Sequence, residues 1–279
     1  MWWGAHRKHR RDFGPLTQGF DPGRGSAGVT HPHGRLGLMS ESWRDGELLA
    51  FDLETTGVNK HEDVPVSFAL ITMKGGSVVQ ARECLVNPGR PIPPGASNVH
   101  GISTERAMAE GIAMPDAVEE IIAALLDASQ RGVPVVGFNI SYDLTMMDAR
   151  VRALKGTGLQ SLGWKGPVMD GLVIDRALDK YRKGKRTLGL VCEHYGITNE
   201  AAHDATGDAT ASAMVVLALA EKFPEIAASD ASSLTEQQVQ WHREWASGFD
   251  EYQRSNGRRG LEPDDFLWPI SLVADEGTS

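Results

Sequence analysis

The segment at residues 48–57, LLAFDLETTG, constrains the fold of this chain more than any other. Its apolar run has the length of a strand and ends in acids and a turn-like Thr-Thr-Gly, which is typical of a central strand. Because residues i and i+2 of a strand point to the same side, Asp52 and Glu54 emerge together. Two such carboxylates repel each other unless a cation joins them. The pair indicates either a divalent-cation site or a structural or solvated pair, and alone it does not decide between them.

The rest of the chain predicts a mixed α/β domain. The strands Val64 to Met73 and Ser77 to Val86 are predicted around a hairpin turn at Gly75-Gly76, and the prolines between 88 and 94 predict a loop. Apolar residues from Val118 to Leu125 recur at helical spacing and predict a helix that ends near Gly132. The remaining predicted elements are a buried strand at Val133 to Phe138, a helix capped by Ser141 and running to about Leu154, a strand at Val168 to Val173 and a helix at Ala205 to Phe223.

Composition excludes several classes of protein. The chain has 279 residues, a formal charge of −9 and an isoelectric point near 5.5, so it is no general polyanion binder with a basic surface. Only Cys84 and Cys192 occur, which disfavours a disulfide framework and a cysteine zinc site and predicts a cytoplasmic protein. No apolar run approaches the roughly 20 residues of a membrane helix, and no signal peptide follows the N-terminus. We therefore expect no membrane partner.

The sequence divides into three regions. Residues 1–45 are basic and lack apolar periodicity, and we interpret them as a disordered arm or as a leader before Met39, in preference to a nucleic-acid-binding tail or a histidine metal site. Residues 46–223 form the predicted domain, and 224–279 form a helical or irregular extension. In the extension, Trp241 and Trp245 lie four apart on a predicted helix. They could stack on bases, but packing back on the domain is favoured.

Three later residues extend the acidic pair. Asp143 follows a predicted strand in the first turn of a helix, where the helix dipole favours an anion, although an ordinary first-turn acid would lie there too. His203 and Asp208 lie five apart at the start of the last long helix. Taken alone, His203 would be interpreted as an ordinary histidine in a surface loop. The order of these residues along the chain, and not any one of them alone, indicates a function.

FDLETTG, then GFN with an acid four residues after Asn139, then His203 and Asp208 resemble the three motifs of the DEDDh, or DnaQ-like, 3′-to-5′ exonucleases. The resemblance covers about residues 47–222, and the ordered triplet is far more specific than any single motif. Phe138 stands where many relatives have histidine, and Tyr142 where phenylalanine is more usual. These departures leave the acids intact and affect only details of substrate contact.

This resemblance implies an α/β, RNase H-like fold, in which a mixed five-stranded sheet is flanked by helices. It also implies that four acids converge at one end of the sheet and bind two divalent ions, Mg²⁺ or Mn²⁺. His203 is then the general base, because a neutral imidazole accepts a proton at cellular pH. The implied ligands are Asp52, Glu54, Asp143 and Asp208.

The resemblance also implies a substrate site beside the acids. The backbone amides of Thr55, Thr56 and Gly57 are expected to cradle the 3′ end, and His100 lies in a segment that resembles the substrate-side loop of the family. Asn139 either bonds the nucleotide or caps the turn, and capping is favoured. The basic cluster of Lys183, Lys185 and Arg186 could contact phosphates or form a solvated loop.

The leading hypothesis is an exonuclease that removes nucleoside 5′-monophosphates from single-stranded DNA 3′ ends and resembles a proofreading subunit of a replicative polymerase. A polymerase or replisome partner would fit this role, although neither a polymerase-binding tail nor a clamp-binding peptide is clear, and a stand-alone repair or turnover nuclease fits as well. The alternatives are an RNA 3′-end exonuclease of the same chemistry and an inactive nucleic-acid-binding module. The complete set of acids argues against the inactive module, since clustered like charges cost free energy in a pure binder.

Overall fold

The computed structural model describes residues 42–198 and 204–271, so most of the expected arm and also His203 lie outside the described residues. Six strands are present in this part of the chain: β1 Glu47–Thr55, β2 Pro65–Lys74, β3 Ser77–Asn87, β4 Ile112–Ala113, β5 Val135–Gly137 and β6 Val168–Asp170. The helices are α1 Pro94–His100, α2 Thr104–Glu110, α3 Met114–Arg131, α4 Ser141–Lys155, α5 Gly171–Leu178, α6 Leu188–Tyr195, α7 Ala205–Lys222, α8 Pro224–Ala228 and α9 Ala231–Ser255, with a 3₁₀ turn at Pro263–Phe266.

The strands form one mixed sheet in the order β4-β3-β2-β1-β5-β6. β1, β2 and β3 pair in antiparallel fashion, whereas β5 and β6 run parallel to β1. The predicted mixed sheet is confirmed, but it has six strands instead of five because Ile112 and Ala113 add a short parallel pair to β3. The hairpin between β2 and β3 turns at Gly75 and Gly76, whose φ angles of 55° and 76° suit glycine better than any residue with a Cβ atom.

The two faces of β1 bury different side chains. Leu49, Phe51 and Leu53 pack in the core shared with α3 and α4, and Leu48 and Ala50 pack in the core shared with α7. Because the side chains of a strand alternate, Asp52 and Glu54 continue the face that carries Leu48 and Ala50. The two acids therefore leave the sheet on the side where α7 packs.

Helix α9 covers the edge of the sheet at β6. The Gln238 side chain is buried, accepts a hydrogen bond from the Asp170 amide at 2.7 Å and donates one to the Val168 carbonyl at 2.9 Å. The Thr235 hydroxyl accepts a hydrogen bond from the Val168 amide at 3.0 Å. These side chains take the place of a further strand and satisfy backbone groups that an edge strand would leave unpaired. Trp241 packs against both cores, which confirms the favoured interpretation for this tryptophan, whereas Trp245 belongs to neither core.

Two local predictions are wrong. The predicted strand Val168 to Val173 ends at Asp170, because the Asp170 carboxylate accepts a hydrogen bond from the Leu172 amide at 2.9 Å and caps α5. Ser141 does not cap α4, since the N-cap is Ile140 without a side-chain bond, and the Ser141 hydroxyl instead contacts the Ser271 hydroxyl at 3.2 Å. Among the described residues, the structure has no helix that is long and apolar enough to cross a membrane.

Candidate nuclease site

Asp143 is anchored directly to the strand that carries the acidic pair. It lies in the first turn of α4, is 6% exposed, and its Oδ1 accepts a hydrogen bond from the Leu53 amide at 3.1 Å. Leu53 separates Asp52 from Glu54, so this bond fixes the start of α4 against the acidic end of β1. Asp52, Glu54 and Asp143 therefore lie at the same end of the sheet.

Asp208 reaches the same place from α7. It lies in the first turn of that helix, and its amide donates a hydrogen bond to the Asp204 carbonyl at 2.9 Å. Its negative charge raises the pKa of both Asp52 and Glu54, which places it near both carboxylates. The structure thus brings together the four acids that the motifs single out. His203 lies outside the described residues, so its role as general base stays a prediction.

Burial and mutual repulsion disfavour negative charge in this cluster. Burial, followed by Asp143, Glu54 and Asp208, holds the pKa of Asp52 well above its usual value. Burial and then Asp208 and Asp204 raise the pKa of Glu54 to about 7. Burial also raises the pKa of Asp143, although backbone hydrogen bonds oppose this effect. The cluster therefore binds protons at pH values where ordinary carboxylates have lost them.

The chemistry of this cluster fits a hard divalent cation. Carboxylate oxygens are the ligands that Mg²⁺ and Mn²⁺ prefer, and a dication would remove the repulsion that raises the pKa values. Within residues 42–198 and 204–271, no three His, Cys, Asp or Glu side chains are arranged closely enough to count as a ready-made metal site. The donor types and charges fit the ion, whereas the exact ligand geometry is not formed in advance.

A pocket of about 400 Å³ lies beside Glu54. Thr55, Thr56, Gly57 and His100, which were predicted to contact substrate, all line it. A Cβ atom at Gly57 would lie 2.5 Å from the Asp63 carboxylate, so this position requires glycine. The pocket therefore gathers the predicted substrate residues next to the predicted catalytic acids.

His100 contributes a polar group to this pocket. Its Nδ1 accepts a hydrogen bond from the Ile102 amide at 3.1 Å. Its Nε2 is buried and makes no hydrogen bond of good geometry with the described residues. Burial lowers the pKa of His100, while the nearby Thr55 backbone opposes the shift. A neutral imidazole with a buried ring nitrogen at the pocket suits a polar ligand.

Asn139 lies apart from that pocket. It lines a second pocket of about 250 Å³ together with Lys60, Tyr142 and Arg176. Its φ of 64° lies in the left-handed region, and its backbone amide donates a hydrogen bond to the Asp170 carboxylate at 2.8 Å. The favoured prediction was that the Asn139 side chain caps the turn. The N-cap of α4 is instead Ile140, and no side chain makes a capping hydrogen bond there. Its position is set by its own backbone and by Asp170.

Three functional candidates were not singled out from sequence. Asp204 caps α7, with its side chain accepting from the Thr206 amide at 3.1 Å, and its charge raises the pKa of Asp52 and Glu54. Asp170 is buried, and its charge raises the pKa of Asp143. The signal that could have found Asp170 is its position, an acid directly after a short apolar strand.

Tyr142 is the third, and it was noted only as a departure from the family. Its hydroxyl donates to the Gly57 carbonyl and lies 3.1 Å from the Thr55 hydroxyl. Burial raises its pKa to about 12. Tyr142 therefore ties the loop at Thr55 and Gly57 to α4, a link that phenylalanine could not make.

Comparisons with known proteins extend these observations. The model of the RNase_T family, described as an exonuclease, matches residues 49–216. The PolC-type DNA polymerase III of Caldanaerobacter subterraneus subsp. tengcongensis is 26% identical over 195 residues, which cover 70% of this chain and 13% of the polymerase. The corresponding polymerase of Thermotoga maritima is 26% identical over 190 residues, which cover 68% and 13%.

Solved structures share the fold. The crystal structure of E. coli exonuclease I in complex with a dA16 oligonucleotide matches with a TM-score of 0.57 at 20% identity, over 71% of this chain and 44% of that chain. The complex of the same enzyme with a dT13 oligonucleotide has a TM-score of 0.54 and covers 65% and 42%. This chain therefore spans less than half the length of these structures and a small part of the polymerases.

Proposed function

The chain belongs to the RNase_T exonuclease family, and we propose that it is a metal-dependent 3′-to-5′ exonuclease that releases nucleoside 5′-monophosphates from single-stranded DNA. The observation that carries the proposal is the meeting of Asp52, Glu54, Asp143 and Asp208 at one end of the sheet, beside a pocket for a terminal nucleotide. Membership in this family confirms the resemblance to DnaQ-like exonucleases that the motifs predict.

In this proposal the four acids hold two divalent ions, Mg²⁺ or Mn²⁺. When bound, such ions lower the pKa of a water molecule and offset the charge that develops on the phosphate. The role of Asp143 also includes positioning, because its bond to the Leu53 amide holds α4 against β1. His203 accepts the proton of the attacking water at an imidazole nitrogen. The backbone of Thr55, Thr56 and Gly57 orients the terminal nucleotide.

Single-stranded DNA is the favoured substrate because the solved structures that share the fold include exonuclease I bound to dA16 and dT13 oligonucleotides. A polymerase partner stays a prediction, which the PolC-type relatives make worth testing. The cytoplasmic location also stays a prediction, and both Cys84 and Cys192 are free thiols, as it requires.

A gel time course tests this function. Single-stranded DNA and RNA of one sequence, each with a free or a blocked 3′ end, are incubated with Mg²⁺, Mn²⁺ or EDTA. We expect stepwise shortening of the DNA from free 3′ ends, and only with a divalent ion. Faster shortening of RNA would reassign the substrate, and the absence of cleavage with either ion would leave a binding module.

The His203→Ala variant tests the proposed general base. We expect turnover to fall by about 10²-fold, the usual range for the loss of a general base, whereas the metal concentration for half-maximal activity stays within about two-fold. His6→Ala is the matched control, since it removes a histidine outside the proposed site. A variant with full turnover would contradict the role of His203.

A further inference from the structure

A groove of about 550 Å³ lies between α5 and α9, away from the acidic cluster. We call it the aromatic groove and define it by three basic and three aromatic side chains: Arg176, Lys180, Arg186, Trp245, Phe249 and Tyr252. The aromatic residues belong to α9, which lies beyond residues 49–216 that match the family. The proposed chemistry of the nuclease site assigns no role to this groove.

Three aromatic side chains lie along one face of α9, and two of them are stacked. Trp245, Phe249 and Tyr252 follow one another at i, i+4 and i+7 and share a helix face. The rings of Trp245 and Phe249 are parallel within 12°, with centroids 5.3 Å apart, and the Arg176 guanidinium lies 3.8 Å from the centroid of the Trp245 ring. Tyr252 is 55% exposed. Trp241, one turn earlier, packs in the core, so the row runs from the core to solvent.

The charge of the groove favours an anionic ligand. Three cations and one anion, Glu244, line it, although the chain as a whole carries −9. Arg186 is held in place by an ion pair with Asp175 at 2.8 Å, and Lys180 is exposed. Stacking aromatics next to cations are the combination that binds single-stranded nucleic acid without sequence preference, because every base has a π face and every nucleotide a phosphate.

The groove shares lining residues with the second pocket, near the nuclease site. Arg176 and Trp245 also line the second pocket, which contains Asn139 and Tyr142. The Tyr142 hydroxyl contacts Thr55, and Thr55 lines the pocket beside Glu54. A strand whose last nucleotide occupies that pocket can thus pass Tyr142 and Arg176 before it reaches the stacked rings.

We propose that the aromatic groove binds the single strand on the 5′ side of the terminal nucleotide, with bases stacked on Trp245, Phe249 and Tyr252 and phosphates beside Arg176 and Lys180. This inference rests on the proposed function for the position of the 3′ end. It deepens that function, because it makes affinity depend on substrate length. An acidic peptide would also fit the charge, but the stacked rings of Trp245 and Phe249, of which Trp245 also lines the second pocket, favour bases.

Binding of fluorescent oligodeoxynucleotides with blocked 3′ ends, measured by anisotropy in EDTA, tests the groove. We expect Tyr252→Ala and Trp245→Ala each to weaken binding of a strand of about sixteen nucleotides by about 10-fold, and that of about four nucleotides by less than about 2-fold. Tyr181→Ala is the matched control, because Tyr181 is 91% exposed and lies outside the groove. Equal affinity of the wild type and both groove variants for the longer strand would overturn the proposal and leave the groove to another class of ligand, such as an acidic peptide.

Charge reversal gives an independent measurement. We expect Lys180→Glu to reduce the slope of log affinity against log salt by about one for the longer strand, since it removes a phosphate contact. Lys74→Glu makes the same change at the exposed end of β2 and should leave the slope as in the wild type. An unchanged slope for Lys180→Glu would remove Lys180 from the binding site.

A mononucleotide substrate separates this proposal from the proposed function. The p-nitrophenyl ester of thymidine 5′-monophosphate is too short to reach the groove, so the groove variants should hydrolyse it at the wild-type rate. A wild type that binds long strands through the groove but hydrolyses nothing would overturn the exonuclease proposal and keep the groove. A wild type that hydrolyses DNA while the groove variants bind long strands equally well would overturn the groove alone.

Discussion

Two carboxylate sites in this protein have opposite surroundings. Asp175 on α5 is fully buried, with Arg182 and Arg186 each 2.8 Å from its Oδ2 and the Tyr195 hydroxyl 3.0 Å from its Oδ1. At the end of β1, the charges with the largest effect on Asp52 are all carboxylates. One cluster is neutralised by the protein itself, and the other is left with like charges together.

This difference indicates which cluster serves stability and which serves chemistry. A buried carboxylate with two guanidinium partners has its desolvation offset inside the fold. Carboxylates that repel one another destabilise the folded protein, and they fit a site whose positive charge arrives with a cofactor. The acidic cluster is also less buried than Asp175, because Asp52, Glu54 and Asp208 are half-buried, but the sign of the neighbouring charges is the difference that bears on function.

The largest expected effect is on catalysis at Asp52. We expect Asp52→Asn to lower metal-dependent cleavage by at least about 10³-fold, because several kcal/mol of transition-state stabilisation depend on the bound ions. The melting temperature in EDTA should not fall, since the change removes a repelled charge. Asp45→Asn makes the same change at an exposed acid before β1 and should keep full activity. Full activity of Asp52→Asn would show that the acidic cluster is not catalytic.

The next effect is on stability at Asp175. We expect Asp175→Asn to lower the free energy of unfolding by about 3 kcal/mol, because it leaves Arg182 and Arg186 without a buried partner. Chemical denaturation measures this change. Asp127→Asn is the matched control, since its pair with Arg131 is exposed and should be worth less than about 1 kcal/mol. Equal stability of the two variants would remove the contrast between the two carboxylate sites.

A smaller effect is expected from pH in the absence of metal. The folded pKa of Glu54 is about 7, above its ordinary value of 4.5, so the folded protein holds the proton more tightly than the unfolded chain. The contribution of Glu54 to stability therefore falls as pH rises from about 4.5 to about 7, by about 1 to 2 kcal/mol after allowance for partial exposure. Denaturation in EDTA at several pH values measures this slope.

The variant Glu54→Gln isolates the contribution of Glu54. It should show a smaller fall in stability over this pH range, because one of the raised groups is gone, while Asp52 and Asp143 still act in the same direction. Glu236→Gln, at an exposed position of α9, should keep the wild-type slope. Equal slopes for the wild type and Glu54→Gln would contradict the raised pKa of Glu54.

The sequence predicts the fold well where a local pattern carries the information. Apolar runs of strand length and a glycine turn locate β1, β2 and β3, and helical spacing locates α3 and α7 to within a few residues of their ends. The strand predicted to reach Val173 ends at Asp170, because a short apolar run does not distinguish a buried strand from a buried helix. The cover that Gln238 provides for β6 is a tertiary contact with no local signal.

The candidate site was predictable to a similar extent. The period of a strand brings Asp52 and Glu54 together, and the ordered motifs add Asp143 and Asp208. Asp204 was missed because an acid before a helix is an ordinary cap, and its effect on Glu54 depends on how α7 packs against β1. The role of Tyr142 was missed because the motif marks only a residue type, whereas the hydrogen bond depends on the loop that it meets.

The smallest predicted effect therefore concerns Tyr142. Tyr142→Phe keeps the ring but loses the hydrogen bonds to the Gly57 carbonyl and the Thr55 hydroxyl. This loss removes about 1 kcal/mol of the free energy that holds the loop at Thr55 and Gly57 in place. Because this loop lines the nucleotide pocket and holds no metal, KM should rise by about 5-fold while the metal dependence of the rate stays unchanged. Steady-state kinetics on a single-stranded DNA substrate measures both quantities. Tyr195→Phe is the matched control, since it removes a hydroxyl from the neutralised Asp175 cluster and should lower stability but leave KM as in the wild type. An unchanged KM in Tyr142→Phe would show that Tyr142 does not position the substrate. A raised KM in Tyr195→Phe would show that the Asp175 site affects substrate binding as well as stability.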